Sequence, residues 1–134
     1  MPHMFLNGGA MRGGPLHHLL CAAPFVGVVR TAPRYRFYSV GDRFPALDPA
    51  PDPGTAVSVA GELYDVPWEI LRERLLPAEP PELELGVIEL EDGTGTLAML
   101  RRRTYAEPDD VYRDISQHAD WRTYTRDRTS VAGT

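Results

Sequence analysis

The chain has 134 residues, of which 43% are hydrophobic and 25% charged, the size and composition of one globular domain around a single core. All 14 basic residues are arginines, which excludes mechanisms that need a lysine Schiff base or a lysine general base. The net charge of -5 excludes a globally basic surface for nucleic acid or an anionic membrane.

The first element is a short apolar strand over residues 4–7, which ends at Gly8-Gly9. A glycine-rich loop follows as far as Gly13-Gly14, and Pro15 then occupies a favourable first helical position. Apolar residues recur at helical spacing after this proline and predict a short helix that ends near residue 22. They are Leu16, Leu19, Leu20 and Ala23.

Two segments rich in Val, Phe and Tyr, residues 25–31 and 35–40, predict two strands joined by a turn at Ala32-Pro33. The proline-dense stretch 48–54 predicts a long exposed loop without core residues. Residues 57–66 alternate in polarity and predict the next strand. Pro67 opens a second amphipathic helix, whose apolar residues are Trp68, Leu71 and Leu75.

Residues 85–90 and 96–103 flank Asp92-Gly93 and predict a β-hairpin. The segment 109–128 carries apolar residues among alternating charges and predicts a docking helix or clamp, and residues 129–134 are expected to fray. The apolar residues of the clamp are Val111, Tyr112, Ile115, Trp121 and Tyr124. This order of elements predicts one α+β domain over residues 1–128, a small mixed β-barrel with flanking short helices.

The cysteine and histidine content bears on compartment and cofactors. Cys21 is the single cysteine and cannot form an internal disulfide, which fits a reducing cytoplasm. The four histidines have no metal-ligand spacing, so we expect no metal and no cofactor. The longest apolar stretch near the N-terminus, residues 19–29, is too short to span a bilayer and lacks the order of a signal peptide. The absence of Lys with abundant Pro and Gly is typical of a GC-rich, bacterial-type genome.

The loop Asn7-Gly8-Gly9-Ala10-Met11 is the segment where we expect chemistry. Residues without bulky side chains let successive backbone N–H groups point at a ligand, and such a nest before a helix binds anions. The loop lacks the lysine of a phosphate-binding P-loop and the spacing of a dinucleotide fingerprint. A glycine-rich turn without a ligand is the alternative interpretation.

Five segments together resemble the gamma-glutamylcyclotransferase-like superfamily, and within it they are most similar to the C-terminal domain of allophanate hydrolases. They are residues 5–19 with the glycine loop, 31–38, 61–67, 86–93, and the tail 114–124 with Asp114-Ile115 and Trp121-Arg122-Thr123-Tyr124. The resemblance implies a small barrel whose glycine loop binds a carboxylate or acyl group through main-chain N–H groups. It also implies a role for one of two kinds of proton-transfer residue.

In the cyclotransferases a glutamate is the general acid/base in the release of 5-oxoproline and an amine, and it would fall near Glu79. In the allophanate hydrolase domain the implied reaction is decarboxylation of an N-carboxycarbamate supplied by an amidase domain, with a helix histidine that matches His18 as a participant. Cyclotransferases usually carry Tyr where this chain has Asn7. The resemblance therefore favours the allophanate hydrolase group.

Several side chains are candidates for the site. His18 lies opposite the leucine stripe, either exposed or lining a cleft. Glu79, Glu82 and Glu84 form either a solvated acidic loop or a group of cleft carboxyls with a raised pKa. Glu62 interrupts an apolar strand and either pairs with an arginine or points into the pocket. The remaining substrate-contact candidates are Met11, Arg36 and Tyr38.

Three functions are compatible with these observations. The first is a small-molecule lyase that decarboxylates an N-carboxycarbamate-type compound, with His18 as proton donor. The second is a gamma-glutamyl amide cyclotransferase with Glu79 or Glu82 as base. The third is a non-catalytic partner subunit of a separate amidase. The expected partners are a small carboxylate or amide and either that amidase or a second copy of the chain, with no nucleic acid and no membrane.

Overall fold

The fold is built on a mixed eight-stranded sheet. The structure is a computed structural model that describes residues 2–102 and 111–132, with side chains as far as Arg128. The strands are β1 His3–Leu6, β2 Phe25–Arg30, β3 Tyr35–Val40, β4 Phe44–Pro49, β5 Ala60–Asp65, β6 Leu83–Glu89, β7 Gly95–Arg101 and β8 Tyr112–Asp114. The predicted hairpin is thus confirmed as β6 and β7; Arg103, at its predicted end, lies outside the described residues.

The strand order is β2-β5-β1-β7-β4-β3-β8, with β6 paired to β7. β7 runs parallel to β1 through Met4 and Leu97 and parallel to β4 through Leu47 and Leu100, whereas the other pairs are antiparallel. β7 thus pairs with three strands, β6, β1 and β4. The sheet curls into a half-barrel around it. This confirms the predicted α+β class with a small mixed barrel.

The core lies inside this curl and is continuous from β1 to the helices. Its largest fully buried side chains come from four different strands and from the π turn 71–75, and they include Phe5, Phe37, Leu47, Tyr64 and Leu75. Burial of each such side chain contributes roughly 1.5–3 kcal/mol relative to exposure. The core therefore fixes β1, and with it the start of the glycine loop.

The strand β4 corrects the sequence analysis in the region of residues 44–54. Asp48 was expected to open an exposed loop, but it belongs to β4 and is buried, as are Ala46 and Leu47. The exposed part of that loop carries a 3-10 turn, Pro53–Thr55. The two predicted strands on either side of Ala32-Pro33 are present as β2 and β3, and β2 pairs with β5 whereas β3 pairs with β4.

The helices are shorter and less regular than the sequence pattern predicts. A 3-10 turn, His17–Leu20, stands where a helix to residue 22 was expected, and it ends at Cys21 with φ +55°. The second helix begins as α1, Trp68–Ile70, and continues through a π turn, Leu71–Leu75, and a 3-10 turn, Leu76–Ala78. Leu71 and Leu75 are buried as expected, whereas Trp68 is 63% exposed.

The C-terminal segment folds as β8 and a helix, α2, Trp121–Ala132. Trp121 and Tyr124 are buried against the core, which supports the predicted role of this segment as a clamp over the barrel. The α2 backbone continues past the expected domain boundary at residue 128. Among the described residues, no helix has the length and hydropathy needed to cross a membrane.

Candidate functional site

The glycine loop between β1 and the first 3-10 turn is held by its own backbone. The N–H of Met11 donates to Gly8 O at 3.1 Å, that of Gly14 to Met11 O at 2.9 Å, and that of Leu16 to Gly9 O at 2.9 Å. A Cβ at Gly14 would lie 2.1 Å from Gly9 O, so this close approach requires glycine. The N–H groups of Gly9 and Ala10 have no acceptor in the described part of the chain. They are therefore available to a ligand.

A cavity of about 300 Å³ lies beside this loop, and we call it the loop cavity. Its polar wall comes from three places in the sequence: the glycine loop, the β3–β4 turn and the end of the helical stretch after α1. Apolar side chains, including Phe44 and Leu83, form the rest of its lining. The residues that line its polar wall are Asn7, Gly8, Gly9, Ala10, Arg43 and Glu79.

Glu79 follows the last helical turn, where its N–H donates to Leu76 O at 3.1 Å. Burial raises the pKa of Glu79 to about 7, because the charged carboxylate loses hydration there. Arg43 lines the same cavity but does not form an ion pair with Glu79. At neutral pH this carboxyl is divided between its acid and base forms, which suits it to proton transfer in either direction.

Arg43 brings a guanidinium group to the cavity wall, and the sequence did not single it out. Its Nη2 donates to Glu82 Oε2 at 3.0 Å, and Glu82 is only 3% exposed. Arg43 also follows a tight turn in which Gly41 and Asp42 both have φ +58°. The Gly-Asp dipeptide is a turn signal that could have placed a hairpin here. Glu82, a predicted catalytic residue, thus orients the guanidinium of Arg43.

The turn before Arg43 is held from α2. Tyr124 OH donates to Asp42 Oδ1, Ser39 Oγ donates to the same oxygen at 2.8 Å, and Arg128 Nη1 lies 3.2 Å from Oδ2. The hydrogen bond from Tyr124 is the largest of the contacts that hold the pKa of Asp42 below its usual value. The clamp helix therefore fixes one wall of the loop cavity.

Glu62 lies below the glycine loop and is 1% exposed. It accepts hydrogen bonds from the Arg12 N–H at 2.8 Å, Arg12 Nε at 3.1 Å, Tyr64 OH at 2.9 Å and Arg122 Nη2 at 3.2 Å. Burial alone would raise the pKa of Glu62, but these donors outweigh it and lower the pKa. Burial and the Glu62 contact raise the pKa of Tyr64 to about 12. Glu62 therefore ties the loop to α2 and is not among the loop-cavity residues.

The other predicted site residues lie elsewhere. His18 is exposed on the 3-10 turn, and Arg36 binds Asp114 and Thr55 O. Tyr38 packs against the small apolar cluster of Val40, Ala46 and Leu83, with Arg101 near its ring. Met11 is buried under the loop. None of the four lines the loop cavity, so their predicted roles at the site stay predictions.

Metal ligation has no visible basis in the part of the chain that the structure describes. No three His, Cys, Asp or Glu side chains lie together there in a metal-binding arrangement. Cys21 is a free, exposed thiol.

Comparisons with known proteins agree with the fold. The sequence model described as "Allophanate hydrolase C-terminal domain" matches residues 2–126. No curated protein sequence matches the chain. Among solved structures, a uropathogenic E. coli-specific protein is 29% identical with a TM-score of 0.82, and the alignment covers 92% of this chain and 94% of that protein.

Two further structures extend the comparison. Kluyveromyces lactis allophanate hydrolase aligns at 24% identity and a TM-score of 0.81 over 93% of this chain, which spans only 21% of that enzyme. An AIG2-like protein from Mus musculus is 27% identical with a TM-score of 0.59, and the alignment covers 79% of this chain and 80% of that one. These neighbours share the gamma-glutamylcyclotransferase-like fold that the sequence predicted.

Proposed function

The chain belongs to the allophanate hydrolase C-terminal domain family, and we propose that it is a small-molecule enzyme acting on a carboxylated or acylated amide in the loop cavity. The observation that carries this proposal is the position of Glu79. A carboxyl whose pKa burial raises to about 7 lines the same cavity as the glycine loop and Arg43. Perturbed carboxyls in clefts are characteristic of proton-transfer sites.

The substrate is an anion of modest size. The N–H groups of Gly9 and Ala10 and the guanidinium of Arg43 offer hydrogen bonds to carboxylate oxygens at different parts of the cavity wall. A volume of about 300 Å³ is at the small end of ligand pockets. A compound with two carboxylates, or with one carboxylate and an amide, can accept hydrogen bonds from both parts of the wall and fits the size of the cavity.

The leading reaction is decarboxylation of an N-carboxycarbamate, as family membership suggests. The bond between nitrogen and one carboxyl carbon breaks, and that carboxyl leaves as carbon dioxide. The electron pair of the bond remains on nitrogen, which takes a proton from protonated Glu79 to give carbamate. Glu79 then recovers a proton from water. Arg43 and the glycine loop hold the substrate so that the nitrogen faces Glu79.

Gamma-glutamyl amide cyclotransfer is the second candidate, and the presence of a glutamate rather than a histidine in the loop cavity favours it. Ionised Glu79 accepts a proton from the substrate's α-amine as that nitrogen attacks the γ-carbonyl carbon. The new C–N bond closes 5-oxoproline, and the amine leaves with the proton that Glu79 returns. The fold likeness to the AIG2-like protein is compatible with this reaction.

His18 remains the rival proton donor, as the resemblance implied. Its exposed position on the 3-10 turn gives it no contact with the loop cavity. A non-catalytic role beside a separate amidase, and pairing with a second copy of the chain, also remain predictions. The chain spans 21% of the K. lactis enzyme.

The test is steady-state turnover of wild type, Glu79→Gln and His18→Ala, with carbon dioxide and 5-oxoproline measured separately. One substrate is N-carboxycarbamate generated in situ by an added amidase, and the other is a gamma-glutamyl amide. We expect Glu79→Gln to lose about a hundredfold in turnover on the true substrate, the usual contribution of general acid-base catalysis.

The matched control is Glu73→Gln, an exposed glutamate on the same helical stretch. It should turn over substrate like wild type, and so should His18→Ala. Full activity of Glu79→Gln with loss of activity in His18→Ala would contradict the proposal. Absence of turnover on both substrates by the wild-type chain would favour the partner role.

A further inference from the structure

A second cavity lies on the other side of the glycine loop, and we propose that it is an anion site for a phosphate group, free or carried by a small metabolite. This cavity, which we call the arginine cavity, measures about 400 Å³ and separates the loop from α2. Arg12 lines it from the loop, and Arg122 and Thr125 line it from α2. The loop-cavity proposal does not use these side chains.

The two arginines are held in place before any ligand arrives. Arg12 Nε and Arg122 Nη2 approach the same oxygen, Glu62 Oε2, at 3.1 and 3.2 Å. The two guanidinium groups therefore lie side by side. Arg122 Nη2 also donates to Arg12 O, and the Arg12 guanidinium lies 4.1 Å from the centre of the Phe25 ring. Since these contacts already restrict both side chains, a ligand orders little further conformational freedom.

Most of the guanidinium donors remain available. Arg12 Nη1 and Nη2 and Arg122 Nε and Nη1 have no acceptor among the residues that the structure describes. The ring of Phe25 covers the face of Arg12, so the free N–H groups lie along its edges. Arg12 presents a free fork, Nη1 and Nη2, and Arg122 adds the separate N–H groups of Nε and Nη1. Together these donors match the several oxygens of a phosphate better than a single carboxylate.

The charges around the arginine cavity also favour an anionic ligand. The buried carboxylate of Glu62 neutralises one of the two guanidinium groups, which leaves one net positive charge at a cavity wall. The protein as a whole carries -5, so this charge is local. Arg12 and Arg122 are each about half exposed, which leaves their free edges open to solvent. A solvated anion can therefore reach them without displacing protein groups.

The size of the cavity sets the class of ligand. A volume of about 400 Å³ exceeds what one phosphate needs and leaves room for a small organic group. Trp121 lies against this space and gives such a group an apolar surface. The ligand is therefore either inorganic phosphate or a compact phosphate ester, and both share the same contacts with the two arginines.

The experiment is calorimetric titration of the full chain with inorganic phosphate and with glycerol 3-phosphate. We expect saturable binding to wild type and a loss of about tenfold or more in affinity for Arg122→Gln, since a charge-assisted hydrogen bond contributes about 1.5–3 kcal/mol. Tighter binding of glycerol 3-phosphate would assign the ester as the ligand, whereas equal affinity would assign free phosphate. Absence of saturable binding of either compound would overturn the proposal.

Two control variants test whether phosphate binds at the arginine cavity and not elsewhere. Arg126→Gln, one turn along α2 and exposed at 76% of its side chain, is the matched control and should bind phosphate like wild type. Arg43→Gln removes the guanidinium of the loop cavity and should also leave phosphate binding unchanged. If Arg43→Gln abolishes binding and Arg122→Gln does not, the phosphate occupies the loop cavity and the proposal is wrong.

Arg122→Lys separates the anion site from the structural tie to Glu62. Lysine keeps the positive charge beside Glu62 but lacks the Nε and Nη1 donors that Arg122 leaves free. We expect this variant to unfold at a temperature close to that of wild type and still to bind phosphate about tenfold more weakly. Wild-type phosphate affinity in Arg122→Lys would contradict recognition through the guanidinium geometry.

Discussion

Replacement of Glu79 by Gln should make the protein more stable at alkaline pH, and the effect can be calculated from the structure. Glutamine keeps the size and polarity of the side chain but has no charge to bury. Burial raises the pKa of Glu79 from 4.5 to about 7 in the folded protein. The folded state therefore holds the proton more tightly than the unfolded chain does.

The sign follows from proton linkage. Between pH 4.5 and 7 the folded state binds more protons than the unfolded state, so the free energy of unfolding of wild type falls as the pH rises. Each tenfold difference in proton affinity corresponds to ~1.4 kcal/mol. The full loss is therefore about 3 kcal/mol above pH 7. Below pH 4.5 the carboxyl is protonated in both states, and wild type and Glu79→Gln should have similar stability.

The assay is urea unfolding of wild type and Glu79→Gln at several pH values between 4 and 9, followed by circular dichroism. Glu73→Gln serves as the control, because Glu73 is exposed and its replacement should give the same pH dependence as wild type. The difference between Glu79→Gln and wild type should grow from pH 4.5 to 7 and then stay constant. Parallel stability curves across this range would refute the assignment of a raised pKa to Glu79.

Three other variants test the glycine loop and its anchor. Gly8→Val should abolish binding of malonate by calorimetry while the chain still folds, because a Cβ there would lie 2.7 Å from Pro45 Cδ in the cavity wall; unchanged affinity would remove the loop from the site. Gly14→Ala should lower the free energy of unfolding by about 3 kcal/mol, because its Cβ would lie 2.1 Å from Gly9 O; urea unfolding close to wild type would show that the loop is loosely held. Glu62→Gln should cost about 2 kcal/mol at pH 7, and since the pKa of Glu62 is lowered, the difference from wild type should vanish as the pH falls well below 4.5; a cost that persists at low pH would contradict a charged anchor.

The local parts of the site could be predicted from the sequence. Two glycine pairs between a strand and a proline-led helical turn place the loop, and their effect depends on neighbouring residues only. Glu79 was a candidate because it belongs to a cluster of three glutamates and because the resemblance placed a glutamate near it. Its burial was not predictable, since the charge-rich stretch around it is typical of a solvated loop.

The non-local parts could not be predicted in the same way. Arg43 lies next to β4, and β4 is placed in the sheet by its pairing with β7 through Leu47 and Leu100, a contact between residues far apart in the sequence. The sequence did not predict β4, because the proline-rich stretch at its end is typical of an exposed loop. Glu62 could be recognised as unusual in an apolar strand, but its partners, Arg12 and Arg122, lie 50 and 60 residues away.

The most direct test of the account is a crystal structure of the protein with malonate, a stable analogue in which CH₂ replaces the nitrogen of N-carboxycarbamate. We predict malonate in the loop cavity, with one carboxylate on the N–H groups of Gly9 and Ala10 and the other on Arg43. Its central carbon should occupy the position of the substrate nitrogen, close enough to the Glu79 carboxyl that a nitrogen there could form a hydrogen bond. Malonate bound beside His18, with the loop cavity empty, would contradict the assignment of this cavity as the active site.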